Sequence, residues 1–128
     1  MFTCIQFAVG QTPNLSIDAS QVADEIRIDG ILNEPAWQQA SVASDFIQRE
    51  PYNGQPATMR TEVRFLFDNS GLYVGATMYD PHPDSIPAQM GLRDATGLNA
   101  DNFIVVISPF NDGINAFCFL VYASDVQA

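Results

Sequence analysis

The sequence predicts an all-β protein, an antiparallel β-sandwich carrying one short helix near residues 34–40. Three observations lead there. Residues 58–67 and 72–79 alternate in side-chain character around Asp68-Asn69-Ser70-Gly71, the pattern of a hairpin with two distinct faces. Phe103-Ile104-Val105-Val106-Ile107 and residues 115–123 form a second apolar pair around Asn111-Asp112-Gly113. Only one stretch, Asn33-Glu34-Pro35, reads as a helix start. Short strands joined by turn signals favour a sandwich over a helical or α/β fold.

Taken in order, residues 11–24 are polar and irregular, a lead-in to the domain at 25–128. Residues 25–28 alternate as a short strand, and Asp29-Gly30 turns the chain. Asn33 is the expected N-cap. Glu34 suits the helix dipole in the first turn, and Pro35 needs no N–H donor there. Residues 45–48 are read as another strand, followed by the loop Pro51-Tyr52-Asn53-Gly54-Gln55-Pro56. In the strand 58–67, Thr61, Val63, Phe65 and Phe67 share one face and Glu62, Arg64 and Leu66 the other. The return strand sets Leu72, Val74, Ala76 and Met78 against Tyr73, Gly75, Thr77 and Tyr79. Residues 80–99 form a long loop rich in Pro and Gly, a length often given to function. The β-branched run 103–107 is expected to be buried on both faces. Cys118, between Phe117 and Phe119, is expected to act as a small buried hydrophobe.

A chain of 128 residues suits one domain with one core. Its formal charge of −10, with five Arg and no Lys, argues against nucleic-acid binding through phosphate neutralisation. The same charge repels an anionic membrane surface, and no run is long enough to insert in a bilayer. Residues 1–10 are mostly apolar, and Ala8-Val9-Gly10 places small residues where a signal peptidase reads. They are read as the remnant of a secretory signal, with an N-terminal strand or disordered end as the alternative. Cys4 and Cys118 make neither a disulfide framework nor a zinc site.

No nucleophile elbow or Gly-rich phosphate loop is present, and His82 sits between two prolines as an exposed imidazole. Fifteen acidic residues make chance carboxylate pairs inevitable, so no enzyme is expected. Loop aspartates at 80, 84, 94, 101 and 112 could supply oxygen ligands to calcium. Tyr52, Tyr73, Tyr79 and Tyr122 could stack on a sugar, with Arg93 as a polar partner. The single tryptophan, Trp37, is either a ligand platform or a core anchor.

Ile28-Asp29-Gly30-Ile31-Leu32-Asn33-Glu34-Pro35-Ala36-Trp37, followed by Ala40, resembles the opening of family 9 carbohydrate-binding modules. Glu62-Val63-Arg64-Phe65-Leu66-Phe67-Asp68 and Gly71-Leu72-Tyr73-Val74-Gly75-Ala76 resemble that family's central hairpin, with Asp80 closing it. Asp101-Asn102-Phe103-Ile104-Val105-Val106-Ile107 is similar to its following strand, and Phe119-Leu120-Val121-Tyr122 to the next. The nearest form is the N-terminal domain of large bacterial cell-envelope proteins, in which a predicted barrel region follows. The resemblance implies a non-catalytic β-sandwich that binds glucan- or xylan-type saccharides by aromatic stacking and hydroxyl hydrogen bonds. It implies bound calcium and Trp37 as the anchor of its helix; the loop between Asp80 and Asp101 is the expected place of the site, with Arg93, Asp94, Asp101 and Tyr122 for the saccharide and Asp80 and Asp84 for structural calcium. It also implies export to the periplasm, outer membrane or exterior, and further strands beyond Gln127, so that the domain is incomplete at its C-terminus. Leu98, Leu120 and Tyr122 stand where members carry a stacking Trp, an Arg and an Asn. The alternatives are therefore a structural or interaction domain of an envelope protein that has lost sugar binding, and an accessory module of a glycoside hydrolase.

Overall fold

A computed structural model describes residues 16–127. The expected signal remnant at 1–10, with Cys4, and the start of the lead-in lie outside the described residues. The chain is mostly strand with little helix, an all-β protein of two small sheets. It divides into two compact units, Met1–Tyr79 and Asp80–Ala128, which are described in turn.

The first unit holds β1 (Ser20–Gln21), a helix α1 (Pro35–Gln39), β2 (Thr61–Phe67) and β3 (Leu72–Met78), with sheet order β1-β2-β3. The hairpin forms as its alternation requires, in register from Thr61 opposite Met78 to Phe67 opposite Leu72. Asp68 closes the turn. Its Oδ1 accepts the N–H groups of Ser70 and Gly71 at 2.6 and 2.9 Å, and its Oδ2 accepts the Tyr73 hydroxyl at 3.0 Å. These bonds, led by that from Ser70, hold the Asp68 carboxyl below the ordinary aspartate range.

The sheet is mixed, not purely antiparallel. β1 runs parallel to β2, with Ser20 opposite Leu66 and Gln21 opposite Phe67. A parallel pair needs a long crossover, and the segment carrying α1 supplies it. The same side of β2 also takes Ala43, whose N–H donates to Val63 O at 2.8 Å and whose carbonyl accepts the Val63 N–H at 3.0 Å. β2 is thus bonded along both edges.

Three local expectations are corrected. The strand at 25–28 does not form. Ile26 is buried there while Ile28 is exposed, so the alternation reflects one anchored side chain without a partner strand. The strand at 45–48 reduces to isolated bridges, Ala43 to Val63 and Ile47 to Pro56. The helix N-cap is Glu34, not Asn33, and makes no side-chain cap bond. Glu34 Oε1 instead accepts the Arg27 N–H at 3.1 Å, while Pro35 occupies the helix start as expected.

The core gathers Val22, Ile26, Trp37, Ala40 and Leu66, with Leu32, Ala36 and Tyr73 packed against it. From β2, Leu66 enters this cluster, on the face it shares with Glu62 and Arg64, while Val63 is buried on the opposite face. Opposite Arg64, Gly75 lies directly beneath the indole: a methyl group added there would come 2.9 Å from Trp37 Cζ3 and 3.0 Å from both Leu32 methyls. Gly75→Ala is expected to destabilise by about 1–3 kcal/mol through overpacking. Combined with Trp37→Phe it should cost less than the sum of the two changes, as urea unfolding in a double-mutant cycle would show. Glu62 is tolerated on this face because Arg64 Nη2 donates to its Oε2 at 3.0 Å and Arg60 pairs with its Oε1. The hydrogen bond from Arg64 is the largest cause of its lowered pKa.

The second unit contains a single 3-10 turn at Pro83–Ser85, then β4 (Asn102–Ile107) and β5 (Phe117–Tyr122). The two strands pair antiparallel from Asn102 opposite Tyr122 to Ile107 opposite Phe117. β4 is not buried on both faces. Phe103, Val105 and Ile107 are half-buried, whereas Ile104 and Val106 are exposed. Cys118, across from Val106, is likewise exposed and not the small core residue expected. A two-stranded ladder offers one layer of neighbours, so apolar character alone cannot cover both faces.

Asp112 organises the β4–β5 connection. Its Oδ1 accepts the N–H groups of Ile114 and Asn115, both at 2.9 Å, and its Oδ2 accepts Asn115 Nδ2 at 2.7 Å. The Asn115 N–H, then that of Ile114, lowers its pKa to about 2. Because the folded value lies below the unfolded one, the stabilisation is complete above roughly pH 4. It is lost as pH falls through about 2. The difference in urea midpoint between wild type and Asp112→Ala should accordingly be largest at pH 5 and shrink on acidification across that window.

Candidate functional site

β5 has one edge in the β4 ladder, and its outer edge is met by residues 126–127 of the same chain. The Ala123 N–H donates to Asp101 O at 2.8 Å on the β4 side, whereas the Tyr122 N–H donates to Val126 O at 2.9 Å on the outer side. Backbone groups alternate sides along a strand, so Leu120 also directs its N–H and carbonyl outward. Gln127 bridges to Val121 on this outer edge. Its carbonyl accepts the Asp94 N–H at 2.9 Å, which ties the turn at 92–95 to the strand.

That turn is closed by the Ala95 N–H donating to Leu92 O at 3.1 Å, with Asp94 at φ 66°. A positive φ at the third residue is the type II geometry, and aspartate tolerates it better than most side chains. Nearby, Leu98 packs against Gly91, where an added methyl would come 2.8 Å from Leu98 Cδ1. Leu98 therefore makes a small internal contact of the loop.

Between the turn and the strand lies a cavity of about 200 Å³, lined by Arg93, Asp94, Phe119, Leu120, Val121 and Gln127. Phe119 and Val121 project from one face of β5 and Leu120 from the other, so the cavity is a groove along the outer edge. Its rim is polar. Arg93 and Asp94 are mainly solvated, at 85% and 80% exposure, and form only a loose ion pair at 4.0 Å. Its apolar lining includes the half-exposed Phe119 side chain.

The four expected saccharide residues divide. Arg93 and Asp94 line the groove, while Asp101 and Tyr122 do not. Tyr122 is buried, and its hydroxyl accepts the Gly97 N–H at 3.0 Å, so the ring serves as an internal tie and not as a stacking surface. Asp101 lends its backbone to Ala123, with its side chain exposed. Phe119, Val121 and Gln127 escaped sequence reading as site residues, and Leu120 entered it only as the position where family members carry an Arg. Their only signal was a strand apolar on both faces, which an edge position explains. Of the other rings, Tyr52 is exposed, Tyr73 is tied to Asp68, and Tyr79 lies 4.9 Å from the Arg60 guanidinium.

The expected calcium ligands do not converge. Asp80 Oδ1 accepts the His82 N–H at 2.6 Å, and Asp84 is exposed in the 3-10 turn. Among the described residues no three His, Cys, Asp or Glu side chains are grouped to hold a metal ion. His82 is exposed. The groove itself carries no Ser, Cys, His or Lys side chain; it offers an apolar surface and hydrogen-bonding groups.

Among the described residues no helix is long and apolar enough to cross a membrane. Comparison with family models, curated proteins and solved structures finds no match.

Proposed function

We propose that this chain is a non-catalytic carbohydrate-binding domain of the family 9 module type, a β-sandwich domain of an exported protein, and that the groove along β5 is its sugar site. The observation that carries this reading is the make-up of the groove. An aromatic and aliphatic floor can receive the C–H face of a pyranose, and a rim of Arg93, Asp94 and Gln127 can pair with its hydroxyls. The motifs at 28–37, 62–76 and 101–107 support the family assignment. Arg93 and Asp94 keep the polar role expected of them from their loop, and Phe119 takes the stacking role in place of Tyr122.

A shallow, solvated groove supports weak binding. Calorimetric titration with xylo- and cello-oligosaccharides, with and without calcium, should show a Kd on the order of 1 mM, equivalent to about −4 kcal/mol. Phe119→Ala and Arg93→Ala should each weaken it at least fivefold while leaving thermal unfolding near wild type, since both side chains are substantially exposed. Flat heats at millimolar sugar would remove the proposal.

The burial of Tyr122 favours a second reading, a structural or interaction domain that has lost sugar binding. Silent sugar titrations together with concentration-dependent sedimentation would select it. The role of accessory module to a glycoside hydrolase belongs to the first reading and depends on a catalytic domain elsewhere.

A further inference from the structure

We infer that the outer edge of β4 is a pairing surface for a second copy of this chain, which adds β4 to β4 as an antiparallel strand. The inference is independent of the sugar proposal, because the groove lies beside β5, the other strand of the hairpin. In the β4–β5 ladder the Ala123 N–H donates to Asp101 O, which makes Asn102 and Tyr122 a non-hydrogen-bonded pair. Backbone groups alternate sides, so Ile104 and Val106 turn their N–H and carbonyl groups away from β5. Among the described residues no backbone group bonds to these and no further strand joins the sheet. Residues 87–89 meet the chain ahead of the strand, at 99–101. The side chains are also uncovered: Ile104 is 50% and Val106 63% exposed. Strand edges are ordinarily guarded by Lys, Pro or an inward charge. Asn102-Phe103-Ile104-Val105-Val106-Ile107 carries none of these.

The occupant that fits is this strand itself. Set antiparallel about a two-fold axis at Val105, Ile104 of one copy lies opposite Val106 of the other, and the two exchange N–H and carbonyl bonds. Val105 then faces its own copy and Phe103 faces Ile107, so each of these cross-strand pairs is apolar. Charge favours this strip over the rest of the surface. Each copy carries a formal charge of −10, which opposes contact between acidic surfaces, whereas residues 102–107 are uncharged. In this register Asp101 falls opposite Pro109 and not opposite another acid. Growth of the sheet also stops at two copies. The outer edge of β5 is met along Val121 and Tyr122 by residues 126–127, and a single two-fold pairing uses the β4 edge of both copies. The pairing joins two two-stranded ladders, each marginal alone, into one larger sheet. A strand of six residues is a small contact beside the about 20–30 residues a side of a stable complex, so the dimer is weak.

Sedimentation equilibrium of the full chain over about 10 µM to 1 mM should show a reversible monomer–dimer equilibrium and no larger species. Val106→Lys puts a charge on the exposed edge, and Val106→Pro deletes an N–H that points away from β5. Each should return the chain to monomer with its circular dichroism close to wild type. Cysteine cross-linking reads the register and decides the matter even if both Val106 variants unfold. With Cys4 and Cys118 replaced by Ser, Val105→Cys should give a covalent dimer on mild oxidation, because a non-hydrogen-bonded pair sets its Cα atoms about 4.5 Å apart, within disulfide reach. Ile107→Cys in the same background faces Phe103 and should not cross-link. A chain that stays monomeric throughout that range, as expected if the edge receives a strand of another protein instead, would overturn the proposal. So would assembly that continues past two, a dimer that survives both Val106 variants, or one cross-linked through position 107 and not 105.

Discussion

Trp37→Ala is expected to lower the stability of the chain by about 3–5 kcal/mol, the usual consequence of deleting a buried aromatic side chain. Trp37 is 3% exposed, packed among Val22, Ile26, Ala40 and Leu66, with its ring edge over Gly75. A helix of five residues has no stability of its own. Its place on the sheet therefore depends on this side chain, and the loss should extend to Ala36 and Leu32 beside it. Trp37→Phe should be milder, for two reasons. It keeps an aromatic ring over Gly75, and it removes an indole N–H that is buried with no partner. Urea unfolding monitored by circular dichroism gives both values. Trp37 is the chain's only tryptophan, so its emission also reports on function. It should be blue-shifted and should not change when sugar is added, because the indole does not line the groove.

Leu66→Ala is expected to cost about 2–5 kcal/mol. Leu66 is 1% exposed, next to the last residue of a strand bonded along both edges, opposite Ser20 in β1 and Tyr73 in β3. Backbone pairing on both sides resists movement into the space left by the side chain, which places the change toward the upper part of that range. The cavity would adjoin Trp37, so Leu66→Ala and Trp37→Ala should not be additive; the double variant should cost less than the sum. Amide hydrogen exchange should show the protection of β1 and β2 falling together in Leu66→Ala, since both rest on this side chain. The β4–β5 hairpin belongs to the other compact unit and should keep its protection.

How far the sequence was legible varied with the range of the interaction concerned. The β2–β3 hairpin was readable because alternation, turn and return strand lie within about twenty residues and are encoded locally. The same holds for Asp68 and Asp112, whose side chains bond to backbone two and three residues away. The short strand at 25–28 was misread because a period of two appears wherever one side chain is anchored, with or without a neighbouring strand. β1 went unseen because its two residues have no pattern, and only the parallel contact with Leu66 and Phe67 defines it. The saccharide residues divided for a related reason. Arg93 and Asp94 sit in a turn whose composition marks it as exposed. Tyr122 is amphipathic and suits a binding face or an internal hydrogen bond equally well; the Gly97 N–H, 25 positions away, decides between them.

What the sequence determined by itself was the all-β character, the two hairpins with their turns, a short helix starting at Pro35, and a charge unsuited to polyanions. Each follows from composition or from contacts a few residues apart. The tertiary structure decided that Leu66 of β2 joins the core around Trp37, that Trp37 is core and not a platform, and that residues 126–127 run along the outer edge of β5. It also decided that Phe119, Leu120 and Val121 meet Arg93 and Asp94 across a groove. Those outcomes depend on which distant segments are brought together, and burial is a property of neighbours that no single stretch of chain carries.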